Sequence, residues 1–352
     1  MAVLGLLADS EGYCPHSFDL MGDADRRGYW IDVFAGQLPS LLEHAMESEG
    51  GGPDAAARAE KVRGVFGGML ERLREEPTAF GALSVMRICE LREGCLRAEG
   101  FGDVYRVVKA RENDAAVGQL PKLLGELDGM ADGARLAALI TGVFAGNIFD
   151  LGAPDTIELF RDGGIDFDAT RGRIRRPWLV DDFDALASRW SGEAYARAVL
   201  LVDNAGADVV LGMIPLAREL ARRGTAVVLS ANTEPALNDI LHAELVPLMA
   251  RIGEFDPVVR GALDDGRMTC VASGNGMPLI DFTRVSEAFA EAAADADLLV
   301  IEGMGRALES NYEARFTCDT LKLAMIKERD VADLLGGEMY DVVCRFERGS
   351  GG

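Results

Sequence analysis

A chain of 352 residues with 49% hydrophobic and 27% charged residues has a globular balance, enough for one large or two modest domains. Its 58 acidic residues against 36 basic ones give a formal charge of −22, which repels nucleic acid and anionic membrane surfaces and excludes a polyanion-binding role. No apolar run reaches the ~20 residues of a membrane span, and the opening MAVLGLLADSEGYC lacks a basic signal segment, so the sequence predicts a soluble, cytoplasmic protein.

Helical periodicity at 29–48, 56–76 and 135–150 predicts three amphipathic helices. The GGGPD stretch at 50–54 reads as the turn between the first two, with Asp54 or a neighbour capping the second. Residues 1–140 are therefore expected to form a helical subdomain. An Arg-rich stretch, 168–186, then leads through Pro177 and Trp178 into the second half. There the rhythm changes to short β-branched runs at 197–203, 226–232, 268–273, 297–303, 321–327 and 340–346. Helical segments such as 207–223 and 284–296 separate them, and Pro215 is expected to kink or restart the first of these. Continuous apolar strands alternating with helices predict a three-layer α/β/α domain over 141–349, built on a mostly parallel sheet covered on both faces.

Six scattered cysteines without CxxC spacing read as reduced thiols. Three histidines, His16, His44 and His242, form no HExxH pattern and read as solvated or core-edge residues, so any metal here must be held mainly by oxygen ligands. Only five lysines occur against 31 arginines, and Lys322 and Lys327 fall close together.

Ligands of an open α/β sheet bind outside the carboxyl ends of its strands. The residues expected there are Asp203-Asn204-Ala205-Gly206, Asn232 with the following loop that carries Asn238-Asp239, Glu302-Gly303-Met304-Gly305-Arg306, and Lys327. Carboxylates and amide oxygens suit a divalent cation, while Arg306 and Lys327 suit an anion such as phosphate. Each piece also has a plainer reading. Asp203-Asn204 and Asp239 serve equally as helix N-caps, Glu302 to Arg306 as a glycine turn, and Lys327 as a solvated strand-end residue. Other catalytic templates fit poorly. A Walker A loop and a GxSxG elbow are absent, Asp203 lacks the second aspartate of haloacid-dehalogenase phosphatases, and Leu308 stands where a dinucleotide fingerprint needs glycine.

The segments at 200–232, PALNDI (235–240), LVIEGMGRALESNY (299–312) and LKLAMIK (321–327) resemble the metal-dependent damage-control phosphatases, domain-of-unknown-function family 89. The EGMGR sequence at 302–306 resembles the mark of subfamily II, and GNIFDLGA (146–153) and RPWLVDDF (176–183) extend the likeness. The resemblance implies one divalent cation, Mn²⁺, Co²⁺, Ni²⁺ or Mg²⁺, held by Asp203, Asn204 and Asp239, with Asp203 as the catalytic carboxylate. It implies substrate contacts from Glu302, Gly303, Met304, Gly305, Arg306 and Lys327, and from Asn147 and Asn232. Ala205 departs from the serine that relatives often carry there, which bears on substrate preference rather than on a ligand. The implied activity is hydrolysis of a small phosphorylated metabolite, 4′-phosphopantetheine or its oxidised forms, in damage control linked to coenzyme A synthesis. The rivals are a broad sugar-phosphate phosphatase, a non-catalytic phosphometabolite-binding protein and a nicotinamide-dependent oxidoreductase.

Overall fold

The first long helix starts where Asp23 turns its carboxylate back onto the Arg26 N–H at 2.9 Å, a side-chain N-cap. This is α1 (Ala24–Ser48), followed by α2 (Pro53–Glu75), α3 (Val85–Ala98), α4 (Arg106–Asp128) and α5 (Asp132–Asn147). The protein is described here by a computed structural model covering residues 1–15, 18–148 and 167–350. His16 and residues 149–153 of the GNIFDLGA segment lie outside the described residues. Asp54 does not cap α2: Gly52 holds the cap position and Pro53 fills the first turn, where its missing N–H costs nothing. Asp54 instead accepts from Arg58 Nε at 3.0 Å within that helix.

After α6 (Phe167–Arg173) come β1 (Val180–Asp181), α7 (Phe183–Trp190) and β2 (Arg197–Leu201). A π-helix (Asp208–Met213) runs directly into α8 (Ile214–Arg222), so Pro215 marks a restart at the head of the α-helix. Then follow β3 (Ala226–Ala231), α9 (His242–Phe255), α10 (Pro257–Asp264), β4 (Met268–Ala272), α11 (Glu287–Ala293) and β5 (Leu298–Glu302). A second π-helix (Met304–Glu309), β6 (Asp319–Met325), α12 (Arg329–Leu335) and β7 (Val342–Glu347) complete the described chain.

The strands form one sheet in the order β1-β7-β6-β5-β2-β3-β4. All pairings are parallel except β6 with β7, where Thr320 faces Glu347 and Met325 faces Val342. Successive strand residues point to opposite faces, and the two faces feed two cores. Ala198, Leu200, Leu229, Val300 and Leu323 pack with apolar side chains of α4, α5 and α8 to α10. Val199, Leu201, Val228, Leu299 and Ile301 pack with those of α1, α2 and α3. Each buried Leu, Ile or Val of this kind contributes about 1.5–3 kcal/mol. This is the expected three-layer arrangement, with the amino-terminal helices supplying much of one layer. The cysteines are all free thiols, and no described helix is long and apolar enough to cross a membrane.

Candidate active site

β2 pairs with β5 on one side and β3 on the other, so the chain leaving it faces a crevice between two diverging connections. Asp203 and Asn204 enter that crevice. The Asp203 N–H donates to Glu302 Oε2 at 3.0 Å, which ties the end of β2 to the end of β5. The loop after β3 returns alongside: Ala205 N–H donates to the Asn238 carbonyl and Ile240 N–H to the Asp203 carbonyl, both at 2.9 Å. This short antiparallel pairing sets Asp239 opposite Asn204. Asp239 is therefore no helix cap, since α9 starts at His242 behind Leu241.

Arg306 extends from the π-helix that follows β5. Its Nη1 contacts Asp203 Oδ1, and its Nη2 donates to Asp239 Oδ2 at 2.7 Å and to Asn232 Oδ1 at 3.2 Å. Asn232 in turn donates to Asp239 Oδ2 at 2.8 Å. The guanidinium so balances two carboxylates and fixes their spacing. In that π-helix the Ser310 N–H bonds the Gly305 carbonyl five residues back at 3.1 Å, a widened turn that swings Arg306 over the strand ends.

A second layer lies beneath. Asn147, at the end of α5, donates to Glu302 Oε1 at 2.6 Å and to Asp208 Oδ2 at 3.1 Å, while the Met325 N–H donates to Asn147 Oδ1. Lys327 Nζ donates to the Asn147 carbonyl at 2.7 Å, and the Lys327 N–H reaches Met304 Sδ at 3.2 Å. Asn204 Nδ2 donates to Asp203 Oδ2 at 3.1 Å and to Asp208 Oδ2 at 2.9 Å. Glu302 and Asp208 are both wholly buried. Burial pushes the Glu302 carboxyl well above its ordinary range, the neighbouring Asp208 adds to this, and Lys327 opposes it. Burial raises Asp208 too, against the pull of Lys327 and the Asn204 and Asn147 amides.

Asp203, Asn204, Asp239, Met304, Gly305 and Lys327 line a cavity of about 80 Å³. Trp30, Val33 and Phe34 of α1 and Val85, Cys89 and Arg92 of α3 line it as well. Asp203, Asn204, Asp239, Asn232, Glu302, Arg306, Asn147, Met304 and Lys327 are thus linked in one hydrogen-bonded cluster, whereas Gly206 turns its N–H to Asn113 of α4 at 2.7 Å. The tightest acidic group differs from the expected ligand set: carboxylate oxygens of Asp203, Asp208 and Glu302 lie within 4.8 Å of one another. Asp208 escaped the sequence reading because it sits in an apolar run that reads as helix; an isolated acid inside such a run, just past a strand end, was the available signal. Lys322 stands elsewhere. It is buried in the sheet and donates to the Tyr312 and Ala314 carbonyls at 2.8 Å and to Glu347 at 3.0 Å.

Residues 33–343 match the damage-control phosphatase ARMT1-like domain. A protein named pantothenate kinase 2 from Arabidopsis thaliana is 44% identical, over 99% of this chain and 42% of its own length. A damage-control phosphatase from the same plant is 42% identical over 90% of this chain and 87% of its own. The 4′-phosphopantetheine phosphatase of Mus musculus is 33% identical over 98% of this chain and 48% of its own length. The chain thus spans under half the length of the first and third of these relatives. A solved structure of a DUF89 family protein from Pyrococcus horikoshii shares the fold, with a TM-score of 0.63 at 16% identity over 90% of this chain and 96% of that one. With a domain match over most of its length and a 42% identical relative of similar extent, the chain belongs to the damage-control phosphatase ARMT1-like family.

Proposed function

We propose that this protein hydrolyses a small phosphate monoester with one bound divalent cation, and that the substrate is 4′-phosphopantetheine or an oxidised form of it. The observation that carries the reading is the meeting of Lys327, Asp203, Asn204 and Asp239 on the lining of one cavity, with the buried Arg306 bonded to Asp239 behind them. The names of the mouse and plant relatives support the substrate and the damage-control setting. In this reading residues 1–140 wall the cavity and 141–349 hold the phosphate, in a cytoplasmic enzyme on the coenzyme A route.

The donor set fits a hard cation. The strand-end residues offer oxygen ligands, and Asp208 Oδ1 is buried without a hydrogen-bond partner. Asp203, Asn204 and Asp239 are the residues of this set that face the cavity, so they would hold Mg²⁺, Mn²⁺, Co²⁺ or Ni²⁺, with Asp208 and Glu302 as the acidic layer behind. Such an ion supplies Lewis-acid stabilisation of charge on the phosphoryl group. Arg306 and Lys327 bind the phosphoryl oxygens and keep the group in place, which is most of what a loose phosphoryl-transfer transition state asks of a protein. Asp203 orients the attacking water and accepts its proton as the new P–O bond forms; the ester P–O bond breaks, and the alcohol leaves on taking up a proton from solvent.

The test is phosphate release from 4′-phosphopantetheine by chelator-treated protein with each metal added back singly, beside fructose phosphates. Metal-restored release selective for phosphopantetheine is expected, and Asp203→Asn should lower kcat by about 10²-fold or more. Full activity in that variant removes Asp203 from the chemistry. Release from sugar phosphates alone would overturn the substrate, and no release with any metal would favour a binding protein.

A further inference from the structure

Val85, Cys89 and Arg92 occupy one face of α3 at helical spacing and line the same cavity as Asp203 and Lys327. Arg92 is 2% exposed, and its Nε donates to Glu93 Oε1 at 3.0 Å. Its guanidinium lies 5.5 Å from the centre of the Phe34 ring, on the neighbouring wall of the same cavity. Its Nη2 is buried with no hydrogen-bond partner. Buried guanidinium donors are rarely left unmade, because water has been stripped from them without replacement. None of the hydrogen bonds that build the strand-end cluster involves this nitrogen, so the floor of the site does not account for it.

The charge of Arg92 is already balanced. Glu93 is bound to it directly, and Glu309 lines the same cavity. What remains is a directional N–H donor rather than a spare positive charge, and the proposed phosphate site has its own cations in Lys327 on the same lining and in Arg306 behind Asp203 and Asp239. Such a donor suits an uncharged oxygen.

We propose that Arg92 is a specificity-determining residue whose Nη2 donates to a neutral oxygen, an amide carbonyl or a hydroxyl, on the organic arm of the substrate whose phosphate lies at Arg306 and Lys327. This deepens the phosphatase reading and rests on it. The substrate class becomes phosphate monoesters with an acceptor oxygen on an arm that passes the apolar wall at Phe34 and Val85. Simple aryl or alkyl phosphates lack that oxygen and gain nothing from Arg92.

Arg92→Lys keeps the charge beside Glu93 and removes the Nη2 donor; an Arg92→Met/Glu93→Gln double variant removes the ion pair as a unit. Steady-state kinetics of the metal-loaded full chain would compare 4′-phosphopantetheine with phenyl phosphate, and calorimetry would follow pantetheine, the arm without its phosphate. Both variants should raise KM for 4′-phosphopantetheine about tenfold and weaken pantetheine binding by a similar factor, with kcat/KM for phenyl phosphate within about twofold of wild type. Equal losses on both substrates, or no change on either, would overturn the proposal. If the wild type releases no phosphate from 4′-phosphopantetheine, the phosphatase reading of that substrate fails. Arg92 is then judged by pantetheine alone: binding weakened in Arg92→Lys upholds its role, and absent or unaltered binding overturns it.

Discussion

Gly303 shows how little room the site leaves at a single residue. Its φ is +98°, and a Cβ there would come within 2.3 Å of Asp203 Oδ2. With ψ at 145° the backbone lies in a region essentially reserved for glycine, so alanine would combine a penalty of about 1–3 kcal/mol with displacement of the carboxylate proposed as the catalytic group. Gly303→Ala is expected to lower kcat about 10²-fold with a drop in Tm of only a few degrees; near-normal turnover would show that the position of Asp203 is not critical. Ala205 makes the opposite case. Its contribution to the site is a main-chain N–H bonded to the Asn238 carbonyl, so this hydrogen bond does not depend on the side chain at that position. Residues at strand ends were legible in the sequence because parallel sheets put their ligands there. Arg92 and Asp208 were not, since a polar residue within a helical stretch reads as a solvated face until packing shows that no solvent reaches it.

At the scale of elements, both π-helices follow strands that border the crevice, and each carries a residue of the cluster, Asp208 in one and Arg306 in the other. Sequence periodicity located the six longer strands through their unbroken apolar runs. It passed over α3 and α4, where apolar residues alternate with buried charges such as Arg92, Glu93 and Lys109, and over β1, whose two residues are too few to show a period. The wall over the cavity is anchored by a helix-to-helix tie: Trp30 Nε1 donates to Asp330 Oδ2 at 2.8 Å and Arg26 Nε to Asp330 Oδ1 at 3.1 Å, joining α1 to α12. Asp330→Ala would leave a buried indole N–H unpaired, at a cost of about 1–3 kcal/mol. Urea denaturation should register that loss, and KM should rise as Trp30 and Phe34 lose their fixed positions. An unchanged KM alongside the stability loss would mean that the α1 wall does not depend on this tie.

For the whole molecule the excess of acidic side chains is the dominant long-range term. Ion pairs at short range offset part of it, but a formal charge of −22 repels itself across the surface. Raising salt from about 0.02 M to 0.5 M shortens the screening length to below ~10 Å and should raise Tm by several degrees in a thermal scan with the metal content held fixed. A falling Tm would mean that attractive pairs outweigh the repulsion.

The order of strands carries one more consequence. β5 is inserted between β2 and β6, so the bond from Asp203 to Glu302 closes a separation of 99 residues and the bond from Asn147 to Lys327 closes one of 180. Contacts of such long range carry a large loop-closure entropy and form slowly. A chain in mid-synthesis, with β2 and β3 emerged but β5 and β6 still to come, has Asp203 and Asp239 without Glu302, Arg306 or Lys327 to set them. The complete strand-end cluster therefore arrives only with the completed sheet, and a ligand seated there would discriminate finished molecules from half-assembled ones.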